Sequence, residues 1–116
     1  MRAINVLDTL VNNSIHVKAL SSGFNGCHFF KDLIRSGKVY CRSPNAIDKK
    51  KLRKINVLFT NSHGSIYIAM DGGVTTVIKN VRNYVKTDRS CDIWLLCDDN
   101  YTVEDFIEEC RQNACN

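Results

Sequence analysis

Proline is nearly absent: Pro44 is the only one, and the six glycines are scattered apart from Gly72-Gly73. That scarcity excludes a Pro/Gly-rich linker or a low-complexity chain. Long apolar runs are missing too. Stretches such as Ile66 to Met70 and Ile93 to Cys97 fall far short of the roughly 18 residues that a membrane span needs, so no membrane association is expected. Asn5 and Asp8 interrupt the N-terminal apolar stretch, unlike the core of a secretory signal. Together these absences predict an intracellular, cytoplasmic protein, in the host cytoplasm if the gene is viral.

The six cysteines, Cys27, Cys41, Cys91, Cys97, Cys110 and Cys115, contain no C-x-x-C pair. In a reducing compartment an even count is no disulfide framework. The 91/97 and 110/115 spacings offer two halves of a metal site, with His28 or His63 assisting. Closed zinc sites use tighter pairs, and Cys97 and Cys110 fall on apolar stripes where a thiol serves as a small hydrophobe. No metal and no cofactor is therefore expected. Neither G-x-G-x-x-G nor a P-loop occurs, so no nucleotide fold is signalled.

What is present is an ordinary globular mixture, 44% apolar and 24% charged over 116 residues. That suits one domain, residues 1–116, with a core that needs no staples. The formal net charge of +4 favours acidic partners such as nucleic acid. Asn, Lys and Ile are abundant, and their AT-rich codons are common in phage and viral genes.

Periodicity divides the chain. Ala3, Val6, Leu7 and Leu10 have helical spacing, which predicts a helix over 3–12. Ile15, Val17 and Ala19 fit either a short strand or a second helix. Phe29, Phe30, Leu33 and Ile34 form one face of a helix over 27–36, with Asn25 as cap and Gly37 just past its end. A short strand over 39–41 follows. Strands over 55–60 and 65–70 flank the turn Asn61-Ser62-His63-Gly64 and should form a hairpin. From 74 to 86 the residue types and the period disagree. The β-branched residues favour strand, whereas Val74, Val77, Ile78, Val81 and Val85 repeat as on an amphipathic helix. Over this length period outweighs composition and predicts a helix. Residues 92–97 read as a buried strand. Thr102 caps a final helix, with Asp105 in the capping-box position. The expected fold is mixed α+β or α/β: a central sheet of about 4–5 strands, a C-terminal βαβα segment and N-terminal helices.

Four features bear on function. Asp71-Gly72-Gly73 would precede the helix over 74–86, presenting backbone N–H groups to an anion, with Asp98 and Asp99 ending the next parallel strand. Such a loop suits a phosphate or metal ligand. Asp-Gly is equally ordinary turn chemistry. Second, Cys27 at a helix start and His63 before a strand resemble the layout of papain-like and cell-wall amidases, which implies a hydrolase. Third, Lys49, Lys50, Lys51, Arg53 and Lys54 are packed into six positions. Lys79, Arg82, Lys86 and Arg89 would stripe the polar side of the helix over 74–86. Both suit phosphate contact, although a solvated face is the plain alternative. Fourth, Phe30-x-x-Leu33-x-x-x-Gly37-x-Val39 resembles the recognition helix and wing strand of winged helix-turn-helix proteins. That resemblance implies that His28, Lys31, Arg35 and Ser36 face DNA.

No motif specifies a reaction. The leading expectation is a non-enzymatic accessory protein of phage or mobile-element type. It would engage nucleic acid, a nucleoprotein complex or a protein partner, inhibitory roles included, through Lys49–Lys54 and the 79–89 face. The alternatives are a small α/β enzyme or ligand-binding domain using the Asp71 loop with Asp98/Asp99, and a Cys27/His63 hydrolase.

Overall fold

The computed structural model describes residues 1–21, 28–42, 51–87 and 91–114. Six strands form one sheet: β1 (Arg2–Asn5), β2 (Val39–Arg42), β3 (Leu52–Thr60), β4 (Ile66–Met70), β5 (Thr75–Ile78) and β6 (Ile93–Cys97). Their spatial order is β1-β6-β2-β3-β4-β5, and every neighbouring pair is antiparallel. The described residues also form four helices, α1 (Val6–Asn12), α2 (Phe29–Arg35), α3 (Val81–Thr87) and α4 (Val103–Ala114), and a 3₁₀ turn over Val17–Leu20. The mixed α+β class expected from the sequence is present. The expected 4–5 strands are six. The C-terminal elements do run β5-α3-β6-α4 along the chain, but β6 neighbours neither β4 nor β5 in the sheet, so the expected parallel βαβ crossover does not form.

The sheet has a covered and an open face. On β6, Ile93, Leu95 and Cys97 are buried and alternate with half-buried Trp94 and Leu96. The same alternation buries Val39 and Cys41 on β2 and Ile66, Ile68 and Met70 on β4. These side chains meet Leu7 and Leu10 of α1, Phe30 of α2 and Phe106 of α4 in one core. The rings of Phe30 and Phe106 lie 6.4 Å apart at its centre, both fully buried. Cys41 and Cys91 are also buried there, with their sulfurs 2.8 Å apart.

β3 joins the two halves of the sheet. Its first residues pair with β2 (Tyr40↔Lys54, Arg42↔Leu52) and its later ones with β4 (Leu58↔Ile68, Thr60↔Ile66). A register shift between Ile55 and Val57 marks a bulge, so Asn56 and Val57 are exposed in succession. Bulges of this kind bend and twist a strand. The expected β3–β4 hairpin is present, closed by Asn61, whose Oδ1 accepts from the His63 and Ser65 N–H groups at 3.0 Å each.

Two expectations fail and one left open between strand and helix is resolved, each for a local reason. Residues 3–12 are a strand followed by a helix. Asn5 is the switch: its side chain accepts from Asp8 N at 3.0 Å and caps α1, while Arg2–Asn5 pairs with β6. Residues 15–19 settle into the 3₁₀ turn, which His16 caps by accepting from Lys18 N. Residues 74–86 also divide. Thr75–Ile78 pairs with β4 as an edge strand, exposing Val77 and burying Ile78. Asn80 then accepts from Asn83 N at 3.1 Å and starts α3, where Val81 and Val85 are the buried pair. The β-branched composition decides the first half and the period the second.

The remaining elements follow their sequence signals. Gly37 closes α2 at φ +73°, where a side chain is disfavoured. Asn25, its expected cap, lies outside the described residues, and His28 stands at the N-cap without a side-chain bond. The α4 capping box is reciprocal: Thr102 N donates to Asp105 Oδ2 at 3.0 Å and Asp105 N to Thr102 Oγ1 at 3.1 Å. No described helix is long and apolar enough to cross a membrane.

Candidate nucleic-acid interface

All helices pack on one side of the sheet, and among the described residues nothing covers the other. The side chains on that open face are largely apolar and aromatic. Trp94 of β6 stands opposite Tyr40 of β2, and Tyr40 stands opposite Lys54 of β3. This row, Trp94–Tyr40–Lys54, crosses three strands. Arg42 and Leu52 form the adjacent pair. Beyond the bulge lies a second row, in which Phe59 is opposite Tyr67 and Tyr67 opposite Val77. The Phe59 and Tyr67 rings are 6.0 Å apart. Relative exposures of 57% for Phe59, 43% for Tyr67 and 44% for Val77 far exceed what a covered layer would leave.

The electrostatics of this face are one-sided. Its buried carboxylate, Asp92, pairs with Arg42 at 3.7 Å. The other carboxylates of the described residues lie on α1 (Asp8), α2 (Asp32) and α4 (Glu104, Asp105, Glu108, Glu109), or in the turns at Asp71, Asp98 and Asp99. Between Lys38 and Lys54 the sequence carries seven basic residues against one acidic, Asp48. Lys51 and Lys54 are exposed.

The basic residues singled out from the sequence do not share one face. β3 and β4 are antiparallel, so Lys51, Arg53 and Lys54 sit at the end of the sheet where β4 finishes, and Asp71 N donates to Lys54 O. Arg53 has the parity of buried Ile55, and its guanidinium donates to Asp71 O at 3.2 Å. Lys79, Arg82 and Lys86 lie at the opposite end, where Ser65 Oγ donates to Lys79 O. Arg82 and Lys86 are exposed on α3. Lys49, Lys50 and Arg89 lie outside the described residues.

The Asp71 loop is a hairpin turn between β4 and β5, with Gly72 at φ +85° and Gly73 at φ +76°. α3 begins only at Val81, so no helix N-terminus follows the glycines. Asp98 and Asp99 follow β6, which runs opposite to β4. They therefore stand at the other end of the sheet from Asp71 and do not converge with it. Asp99 instead pairs with the Met1 ammonium at 2.9 Å. The expected phosphate or metal loop is without the geometry that motivated it.

The remaining candidate residues are equally dispersed. Cys27 and Cys115 lie outside the described residues, and His63 is exposed in the β3–β4 turn. Cys91 and Cys97 flank β6 at opposite ends, about 20 Å apart by strand rise, and cannot share an ion. Cys97 Sγ contacts the Arg2 carbonyl oxygen at 3.7 Å. Among the described residues no three potential metal ligands gather. The Cys91 thiol beside Cys41, together with burial, pushes the Cys41 thiol far above its usual range, which makes it a poor nucleophile. Of the segment that resembles a winged helix, β2 pairs antiparallel with the next strand, β3, but is an interior strand with β6 on its other side, and α2 packs on β3 and the 3₁₀ turn. His28, Arg35 and Ser36 are exposed and Lys31 half-buried, on the helical side.

Tyr40, Trp94, Phe59 and Tyr67 were not singled out from the sequence as site residues. A signal was there: Ile93-Trp94-Leu95-Leu96 and Val57-Leu58-Phe59 are apolar at both parities. In a sheet covered on one side only, such strands must expose apolar side chains.

No family model, no curated protein and no solved structure matches the chain.

Proposed function

We propose that the chain is a non-enzymatic binding protein that holds single-stranded nucleic acid across the open face of its sheet. The carrying observation is the cross-strand row Trp94–Tyr40–Lys54, which sets two aromatic rings beside a cation on an uncovered surface. Bases stack on aromatic side chains whatever their sequence, and basic groups beside them meet the phosphates. A sheet that presents stacking rings does this only for unpaired bases, because a duplex keeps its faces stacked internally. The second row, Phe59–Tyr67–Val77, extends the stacking surface toward β5. Lys51 adds positive charge at the Lys54 end, and Lys49 and Lys50 precede it in sequence.

Trp94 is the only tryptophan and reports directly on this surface. Titration with single-stranded DNA and RNA oligonucleotides over a salt series is the test. Quenching of Trp94 emission, with binding that weakens steeply as salt rises, supports the proposal. Tyr40→Ala should weaken binding by about 1–3 kcal/mol, the usual worth of one stacked base. If no oligonucleotide binds at low salt, or duplexes bind as well as single strands without quenching, the proposal fails. Binding to a protein partner that survives Lys51→Glu and Lys54→Glu would then identify the face as a protein-docking surface.

A further inference from the structure

At the Lys79 end of the sheet, α1, the 3₁₀ turn, the β3–β4 turn and the start of α3 enclose a cleft of about 190 Å³. Val11, Ile15, Val17 and Val81 supply its apolar wall, and His16, His63, Lys79 and Arg82 its ionisable groups. All four of those groups are bases, and no carboxylate lines the cleft among the described residues. Each comes from a separate stretch of the fold except the near neighbours Lys79 and Arg82, so the concentration of positive potential is a product of folding. We propose that this cleft is a binding site for a phosphomonoester dianion.

The local geometry suits that ligand. His16 Nδ1 accepts from Lys18 N at 3.1 Å, so the neutral ring carries its proton on Nε2. That nitrogen lies 3.9 Å from the position a side chain at residue 64 would take. Gly64, at φ +83°, keeps that space clear. Asn80 uses its Oδ1 on Asn83 N, leaving its amide NH₂ as a donor. Burial depresses the His16 pKa, and Lys18 and Arg82 depress it further. A phosphomonoester carries close to two negative charges above about pH 7; it would offset Arg82 and Lys79 together and accept a hydrogen bond from the His16 Nε2–H. An apolar wall strengthens such charge-assisted hydrogen bonds by limiting water.

The cleft and the open sheet face are separate sites, and either can fail without the other. The test follows the histidine ring resonances of the full chain by NMR during titration with inorganic phosphate, at constant ionic strength. His16 and His63 should shift together and saturably while His28 does not, and bound phosphate should raise the His16 pKa. Lys79→Ala with Arg82→Ala, both exposed positions, should weaken phosphate binding about tenfold or more. Lys51→Ala with Lys54→Ala should leave it unchanged. Short oligonucleotides with and without a 5′-phosphate separate the sources. A preference for the phosphorylated strand, abolished in the Lys79/Arg82 variant, assigns the site to a nucleic-acid terminus. Phosphate binding without that preference assigns it to a small phosphorylated compound. Unsaturable shifts, equal shifts at His28, or unchanged binding in the Lys79/Arg82 variant of native fold would overturn the proposal.

Discussion

On β3, Ile55 and Leu58 are sealed beneath the helices, whereas Val57 and Phe59 beside them are more than half exposed. The contrast runs across the whole sheet. Ile93 and Leu95 are fully buried, and Trp94 and Leu96 between them are not. Both faces are apolar, so hydrophobicity alone does not distinguish packing from recognition. What differs is the partner: one face has helices and the other has none among the described residues. Substitutions on the covered face should therefore register as reduced stability, and those on the open face as reduced binding.

The largest effect is expected at the centre of the covered face. Phe106→Ala removes a fully buried ring from against Phe30 and should cost about 3–5 kcal/mol, read from urea unfolding. A loss below about 1 kcal/mol would mean that α4 contributes little to the core and that the contrast between faces is wrong.

The open face should give the opposite pattern. Phe59→Ala combined with Tyr67→Ala breaks one aromatic pair and should cost about 1 kcal/mol of stability. If bases stack there, the same change should weaken oligonucleotide binding by about 1–3 kcal/mol for each base that loses its platform. Fluorescence titration at Trp94, which is retained, measures the second number, and urea unfolding the first. A large drop in stability with unchanged binding would make this row structural.

Local signals carried the parts of the fold that are local. Gly37 after α2, the Asn61–Gly64 turn and the Thr102/Asp105 capping box were all legible because each is decided within a few residues. β1 was not, because Arg2 finds its partner at Cys97, far along the chain, and Ala3 continues by coincidence the period of Val6, Leu7 and Leu10, which belong to the real helix α1. Residues 74–86 misled for a related reason. Val81 and Val85 belong to a real helix, and Val77 and Ile78 supplied two more apolar positions at matching intervals from the strand before it. The error then propagated: a helix there implied a parallel crossover, and the crossover implied that Asp71 and Asp98 meet. The aromatic rows were illegible as rows, since Trp94, Tyr40 and Lys54 become neighbours only through strand order. The basic cluster was legible in sequence, but its division between two ends of the sheet was not.

Charge at the rim of the open face should matter less than its rings. Lys51→Glu and Lys54→Glu change exposed side chains and should alter stability by no more than about 0.5 kcal/mol each. For every phosphate that no longer meets a lysine, the log–log salt slope of single-strand binding should become shallower by roughly 0.7. An unchanged slope with weakened affinity would point to packing of the lysine stem, such as that of Lys54 against Gly37, as the source of the effect.

The smallest effect belongs to the covered side and is set by pH. The Thr102 backbone N–H, followed by its hydroxyl, holds the Asp105 carboxyl below its usual range. A depressed carboxyl stabilises the fold above its unfolded-state pKa of about 4, and that contribution disappears as pH falls through the folded-state value. Asp105→Ala should therefore lower Tm slightly at neutral pH, and the difference from the parent chain should shrink steadily below about pH 4. If the difference persists undiminished in acid, the cap acts through something other than the carboxylate charge. Since α4 lies behind the sheet, oligonucleotide binding at neutral pH should be the same in both proteins. A change in binding would mean that α4 and the open face communicate through the core, and the separation of the two faces into packing and recognition would no longer hold.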